Sequence, residues 1–294
     1  MQRLQPVLKS VTCAHPGGLH RLAYAEWGEA DNPRVVMCVH GLTRNGRDFD
    51  ELARALVEDG YRVVCPDMPG RGGSDWLSDT SGYALPLYIA DCVTLLARLD
   101  TEQVDWVGTS MGGLIGIMLA AMPGSRNPVA RLVINDIGPV VNHEGVSRLV
   151  HQLSRRPDAF ATFEEGLAYT RDVAAASFGP HTPEQWRLLA EHTVVPKDGH
   201  WVMHYDPAII TVAMQALDRL APPLWDVWDR IRCPALVLRG AESTLLDEDV
   251  AQAMTQRGPK ARLQTYEGVG HAPSLIQPGQ IADVVAFLKE SLPS

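Results

Sequence analysis

Residues 104–122 read VDWVGTSMGGLIGIMLAAM: an apolar run, the pentapeptide Gly108-Thr109-Ser110-Met111-Gly112, then a stretch of small and aliphatic residues. The first run reads as a strand buried on both faces and the last as a helix. A serine flanked by glycines at such a junction lies on a turn too tight for side chains at the flanking positions. The turn pushes the Ser110 hydroxyl out of the backbone. The helix beginning near Met111 then aims unpaired N–H groups and its positive end at whatever the hydroxyl attacks. A chain built around this unit must fold a strand, a sharp turn and a helix back on one another, as a parallel α/β sheet does.

Comparable runs recur on both sides of the turn. Leu19–Trp27, Arg34–His40, Tyr61–Asp67, Arg131–Asp136, Ala235–Arg239 and Arg262–Glu267 read as strands, most of them short and nearly continuously apolar. Arg47–Asp59, Tyr83–Leu99 and Met111–Met122 carry helical spacing between them, which predicts a mostly parallel, doubly wound sheet with right-handed crossovers. The rhythm breaks after Asp136. From Gly138 to about Arg230 no strand is expected, while Ser147–Leu153, Phe163–Tyr169, Pro183–Glu191 and Ala208–Leu220 read as short amphipathic helices. Such a stretch is too long for a loop, so residues 138–231 are expected to form a helical cap inserted into a core of residues 1–137 and 232–294. A last helix is expected near Gln280–Leu292.

Composition narrows the function. The net charge of −9, with no cluster of Lys or Arg, argues against nucleic acid or an anionic membrane as partner and leaves a small molecule. No apolar segment is long enough for a signal peptide or a membrane span, and five cysteines, an odd number, fit a reducing cytoplasm. Cys38 and Cys65 lie within strand-like runs and read as small buried hydrophobes.

Acyl transfer needs a nucleophile, a base, an orienting acid and N–H donors for the developing oxyanion. Ser110 is the candidate nucleophile. His271, in the glycine-rich loop Gly268-Val269-Gly270-His271-Ala272-Pro273 between the last strand and last helix, is the candidate base. Leu42, in the turn His40-Gly41-Leu42 after a strand, and Met111 are expected to supply the oxyanion N–H groups. Arg44 and Asn45, just beyond that turn, are candidates for binding a substrate carboxylate or carbonyl. Arg71 and Asp75 read as structural residues of a sharp turn. His200 and His204 have the spacing of half a zinc site but lack further ligands, so no metal and no cofactor is expected.

With CVHGLTRNGRDF, CPDMPGRGGSDW, GTSMGG, VINDIGP, CPALVLRG and GVGHAP in this order, the chain resembles the α/β-hydrolase family over essentially its whole length. The resemblance implies a serine hydrolase of small carboxylic esters, with a cap that sets acyl specificity. It also implies an acid shortly after Ala235–Arg239, yet Thr244 stands where an aspartate is expected. Three readings of the acid remain: Asp136, at the end of the strand after the nucleophile helix, a position that serves some members of the fold; Glu242; or no charged orienter at all. Asp247 reads instead as the cap of a following helix. Alternatives are a hydrolase of C–C bonds in β-diketone-like or ring-cleavage products, with Arg44 holding a carboxylate, and a weakly active or non-catalytic ligand-binding protein.

Overall fold

The computed structural model describes residues 3–124, 127–217 and 222–291. The N-terminal half runs β1 (Val7–His15), β2 (Gly18–Trp27), β3 (Val35–Val39), α1 (Asp50–Glu58), β4 (Arg62–Pro66), α2 (Leu85–Arg98), β5 (Val104–Thr109), α3 (Met111–Ala120) and β6 (Val129–Asn135). A second segment follows: α4 (His143–Ser154), α5 (Phe163–Phe178), α6 (Pro183–Glu191), β7 (Val194–Lys197), β8 (His200–Met203), α7 (Ala208–Ala216) and α8 (Trp225–Trp228). The chain then returns to the sheet with β9 (Ala235–Gly240), α9 (Glu248–Met254), β10 (Arg262–Tyr266) and α10 (Pro278–Lys289). The expected helix limits at Leu220 and Leu292 lie outside the described residues.

The eight-stranded sheet has the order β1-β2-β4-β3-β5-β6-β9-β10. β2 pairs antiparallel with β1 and with β4, and the remaining pairs are parallel. Strands β3 and β4 are buried at every residue because helices cover both faces, which is why their sequences are continuously apolar rather than alternating. Alternation divides β3 between two cores. Val36 and Cys38 join Phe49, Leu52 and Leu56 around α1 together with Phe287 and Leu288 of α10, whereas Met37 and Val39 join Leu95 of α2 and Ile115 of α3. After β3 the chain crosses to β4 on one side, and after β4 it returns to β5 on the other. The C-terminal ends of β3 and β5 therefore border a crevice at a topological switch point, where ligands bind in open α/β sheets.

The segment between β6 and β9 is mainly helical, but it also contains the antiparallel pair β7–β8, contrary to the expectation of a strandless insertion. Lys197 pairs with His200 across Asp198-Gly199, and both turn residues have positive φ, 50° and 80°, as a two-residue hairpin turn requires. Where the expected helices do form, their starts follow from local chemistry: Thr182 and Gln185 make a capping box at the head of α6. Asp247 precedes α9, yet makes no capping bond. Its carboxylate accepts instead from the Asn142 amide, 3.1 Å away, which ties α9 to the start of α4.

Backbone bonds fasten this segment to the core beside the sheet's C-terminal edge. Gly72 N–H donates to the His204 carbonyl at 3.0 Å, Asp206 N–H to the Gly70 carbonyl at 2.7 Å, and Gly270 N–H to the Ser177 carbonyl at 2.9 Å. Among the described residues no helix is long and apolar enough to cross a membrane.

Candidate active site

Ser110 connects β5 to α3 with φ 52° and ψ −112°, a conformation that costs a non-glycine residue energy and is kept only where the surroundings impose it. The imposing contacts are visible. A Cβ on Gly108 would lie 2.2 Å from the Gly112 carbonyl oxygen, and one on Gly112 would lie 1.9 Å from the Val39 carbonyl oxygen. The two glycines flanking Ser110 thus let α3 press against its own strand and against β3. Ser110 N–H donates to the Asn135 carbonyl at 2.9 Å, and the Ser110 carbonyl accepts from Gly113 and Leu114, which starts the helix.

His271 reaches this serine from the loop after β10. Its Nε2 lies 2.9 Å from Ser110 Oγ and its Nδ1 lies 2.8 Å from Asp136 Oδ2. Asp136 follows β6, is fully buried, and also has positive φ, 57°, which turns its side chain back along the sheet edge. Its carboxylate accepts from Gly240 N–H at 2.9 Å and from the Ser243 hydroxyl at 2.5 Å. An ionised carboxylate only accepts, so the Nδ1 proton faces Asp136 and the Nε2 lone pair faces the Ser110 hydroxyl. Glu242, by contrast, is exposed and forms no hydrogen bond or ion pair with His271, and Thr244 is exposed as well. The structure therefore brings Ser110, His271 and Asp136 together and leaves Glu242 apart.

The N–H groups of Leu42 and Met111 have no protein acceptor among the described residues. Leu42 follows the buried ring of His40, whose Nδ1–H donates to the Gly41 carbonyl at 2.7 Å and whose Nε2 accepts from Met68 N–H at 2.9 Å. Burial foremost, and then the Arg71 charge, push the His40 pKa down to about 3, in keeping with a neutral ring in this role. Arg71 is fully buried and spans both candidate donor residues: Nε donates to the Leu42 carbonyl at 2.8 Å and Nη2 lies 3.8 Å from Met111 Sδ. Further bonds to the Pro69 carbonyl and the Tyr88 hydroxyl fix the guanidinium.

Asn45 is bonded to the inserted segment, and Arg44 is bonded to it while also bordering the space over Ser110. The Arg44 guanidinium chelates Asp48 and donates to the Leu189 carbonyl, and the buried Asn45 amide donates to the His192 carbonyl. Both tie the turn after β3 to α6 and the residues that follow it.

A cavity of about 120 Å³ opens over Ser110 and His271 between the core and the inserted segment. Leu149 and Leu153 of α4, Val173 and Phe178 of α5, and Met203 give it an apolar lining. Trp228 of the inserted segment lies elsewhere, buried with its indole N–H on the Arg257 carbonyl. His200 is exposed and His204 bonds the His192 carbonyl, so the pair assembles no metal site.

Ser243, Asn135 and Arg71 were not recognised from the sequence as supports of the site. Asn135 donates to Thr109 Oγ1 and to the Pro273 carbonyl, joining the Ser110 turn to the His271 loop. Its position directly before Asp136 in VINDIGP was the only available signal.

Comparison with known proteins identifies the family and the fold. A family model described as the alpha/beta hydrolase family matches residues 36–284. A 3-hydroxybutyrate-oligomer hydrolase of Cupriavidus necator is 48% identical over 290 residues, covering 96% of this chain and 97% of the relative. An esterase of Mycobacterium tuberculosis is 29% identical, covering 88% of this chain and 83% of its own. Among solved structures, an alpha/beta hydrolase from Novosphingobium aromaticivorans superposes with a TM-score of 0.85 at 32% identity, covering 98% of this chain and 99% of that one.

Proposed function

Since the chain belongs to the alpha/beta hydrolase family and is a carboxylic ester hydrolase, we propose that it cleaves short oligomeric esters of 3-hydroxybutyrate through an acyl-enzyme on Ser110. The observation that carries the mechanism is the relay from Ser110 Oγ to His271 Nε2, 2.9 Å, and from His271 Nδ1 to Asp136 Oδ2, 2.8 Å. The 48% identity to the oligomer hydrolase supports the substrate class.

In the first half-reaction Ser110 Oγ attacks the ester carbonyl while His271 Nε2 takes its proton. The oxyanion is held by the N–H groups of Leu42 and Met111, and the C–O bond breaks as His271 returns the proton to the leaving alkoxide. In the second, His271 deprotonates a water that attacks the acyl carbon, and Ser110 recovers its proton as it leaves. Asp136 keeps the imidazole in its Nδ1–H form and stabilises the imidazolium in each half. No metal or cofactor enters the scheme. Residues 138–231 act as the cap, with α4 and α5 forming the acyl wall of the cavity. Arg44 and Asn45 hold the cap to the core, and Arg44 also borders the cavity. The free cysteines fit a reducing cytoplasm.

The test is release of 3-hydroxybutyrate from its linear dimer and trimer, with p-nitrophenyl butyrate and a vinylogous diketone as comparison substrates. Serine-dependent release from the oligomers supports the proposal. Loss of the diketone chromophore with the esters untouched would replace it by the C–C hydrolase reading.

A further inference from the structure

Far from Ser110, the hairpin of β1 and β2 and the helix α2 enclose a second group of chemically active side chains. Cys13 and His20 are direct partners across the two antiparallel strands, and Asp91 of α2 stands over them. One ligand-type atom from each of the three lies within 4.8 Å of the other two, and each residue is less than 5% exposed, at 2%, 4% and 1%. His20 Nε2 is 2.8 Å from Asp91 Oδ2, but His20 Nδ1 and Asp91 Oδ1 are buried without any hydrogen-bond partner. Buried polar atoms of this kind are costly and call for a partner.

A fourth donor borders the group. His15 is two residues beyond Cys13 on β1, so both side chains leave the same face of the strand. Its ring centre is 5.3 Å from that of His20, and its Nδ1 accepts from Gly17 N–H, which leaves Nε2 as its available ligand atom. The hairpin thus reads Cys13-x-His15-x4-His20, a spacing that becomes a cluster only once the strands pair.

We propose that Cys13, His20 and Asp91, with His15 at the rim, form a binding site for one divalent transition-metal ion of the zinc type, a structural site independent of the ester chemistry. Charge supports a dication. A thiolate and a carboxylate together carry two negative charges, so the buried site is neutral when the ion is bound. Ligand type selects the metal: thiolate and imidazole favour zinc or cobalt over magnesium or calcium. Binding draws on the His20 ring and the Asp91 carboxylate, each of which has an atom without a partner, and releases the Cys13 thiol proton to solvent. The Cys13 thiol is not a second nucleophile, because burial and the neighbouring Asp91 carboxylate push its pKa up to about 12. The site lies four strands from β5, about 19 Å across the sheet. An ion there would pin the edge strand β1 to α2.

The experiment is titration of the full-length, chelator-treated protein with Co²⁺, read by the thiolate-to-cobalt charge-transfer band, and with Zn²⁺, read by bound metal after desalting and by Tm. The expected result is one ion per chain, a proton released per ion, and a Tm raised by about 5 °C at a hundredfold excess over Kd. Cys13→Ser abolishes the band. His15→Asn, at the rim, weakens binding without disturbing the buried residues, and Cys233→Ser retains it. A wild-type protein that shows no thiolate band and no Tm shift, or a band that survives Cys13→Ser, overturns the proposal and leaves the cluster a hydrogen-bonded packing device.

Discussion

Ser243 donates its hydroxyl, at 2.5 Å, to the same Asp136 oxygen that holds His271. The segment after β9, where the family resemblance implied an acid, instead supplies a donor to an acid carried by β6. In Asp136→Asn an amide faces Nδ1 and favours the wrong imidazole tautomer, so kcat is expected to fall by about 10³ to 10⁴ with KM little changed. Ser243→Ala removes one bond to the carboxylate and should lower kcat by about tenfold. Glu242→Gln should leave both constants unchanged. Steady-state kinetics on one ester compares all three; a Glu242→Gln defect as large as that of Asp136→Asn would refute the assignment.

The alternation of strands and helices was legible because the central strands β3 and β4 are buried on both faces and helix α1 on one. The Ser110 turn was legible because Gly108 and Gly112 are demanded by backbone atoms a few residues away. The choice between Asp136 and Glu242 was not, since it depends on positive φ at Asp136 and on how β6 and β9 align, and neither leaves a mark in composition. The hairpin β7–β8 was missed although Asp198-Gly199 is a strong turn signal, because Pro196 interrupts an already short run. The exposed edge strand β1 lacks apolar alternation: Leu8 is 70% exposed and only Cys13 is buried. That Arg44 and Asn45 tie the core to the inserted segment was not legible, because their partners at Leu189 and His192 are far away in sequence.

Arg71 is a positioning residue in this account. It touches the Leu42 carbonyl and the Met111 sulfur but not the substrate. Arg71→Met is expected to lower kcat by about 10- to 100-fold, less than the 10² to 10³ lost with an oxyanion donor itself, with KM nearly constant. A purely structural role would instead lower Tm and the active fraction while leaving kcat per folded molecule intact, which active-site titration separates.

Two glycines near Ser110 should respond differently to the same change. Gly112→Ala drives a Cβ to 1.9 Å from the Val39 carbonyl oxygen and should destabilise the fold by several kcal/mol, about 3 or more. Gly41→Ala places its Cβ 3.7 Å from Ser110 Cβ, an ordinary contact, and should fold normally while crowding the reacting carbonyl. Chemical denaturation and kcat/KM measured on both variants check this contrast.

His40 links stability to pH. Its folded pKa of about 3 lies below that of an unfolded histidine, 6.5, so the unfolded chain binds the extra proton between these values. The contribution is fully present above about pH 6.5 and is lost as pH falls toward 3, at about 1.4 kcal/mol per pH unit within that window. His40→Gln should lower stability at pH 7 and flatten this acid slope. Denaturation midpoints from pH 7 to pH 4 measure both effects; an unchanged slope would show that His40 does not titrate there.

The most direct test of the central claim is to mix the enzyme with a 3-hydroxybutyrate trimer, quench in acid within one turnover, and map the adduct by peptide mass spectrometry. A 3-hydroxyacyl mass on the peptide containing Ser110, absent in Ser110→Ala along with turnover, is the predicted result. Sustained hydrolysis by Ser110→Ala, with no adduct on Ser110 of the wild type, would contradict it.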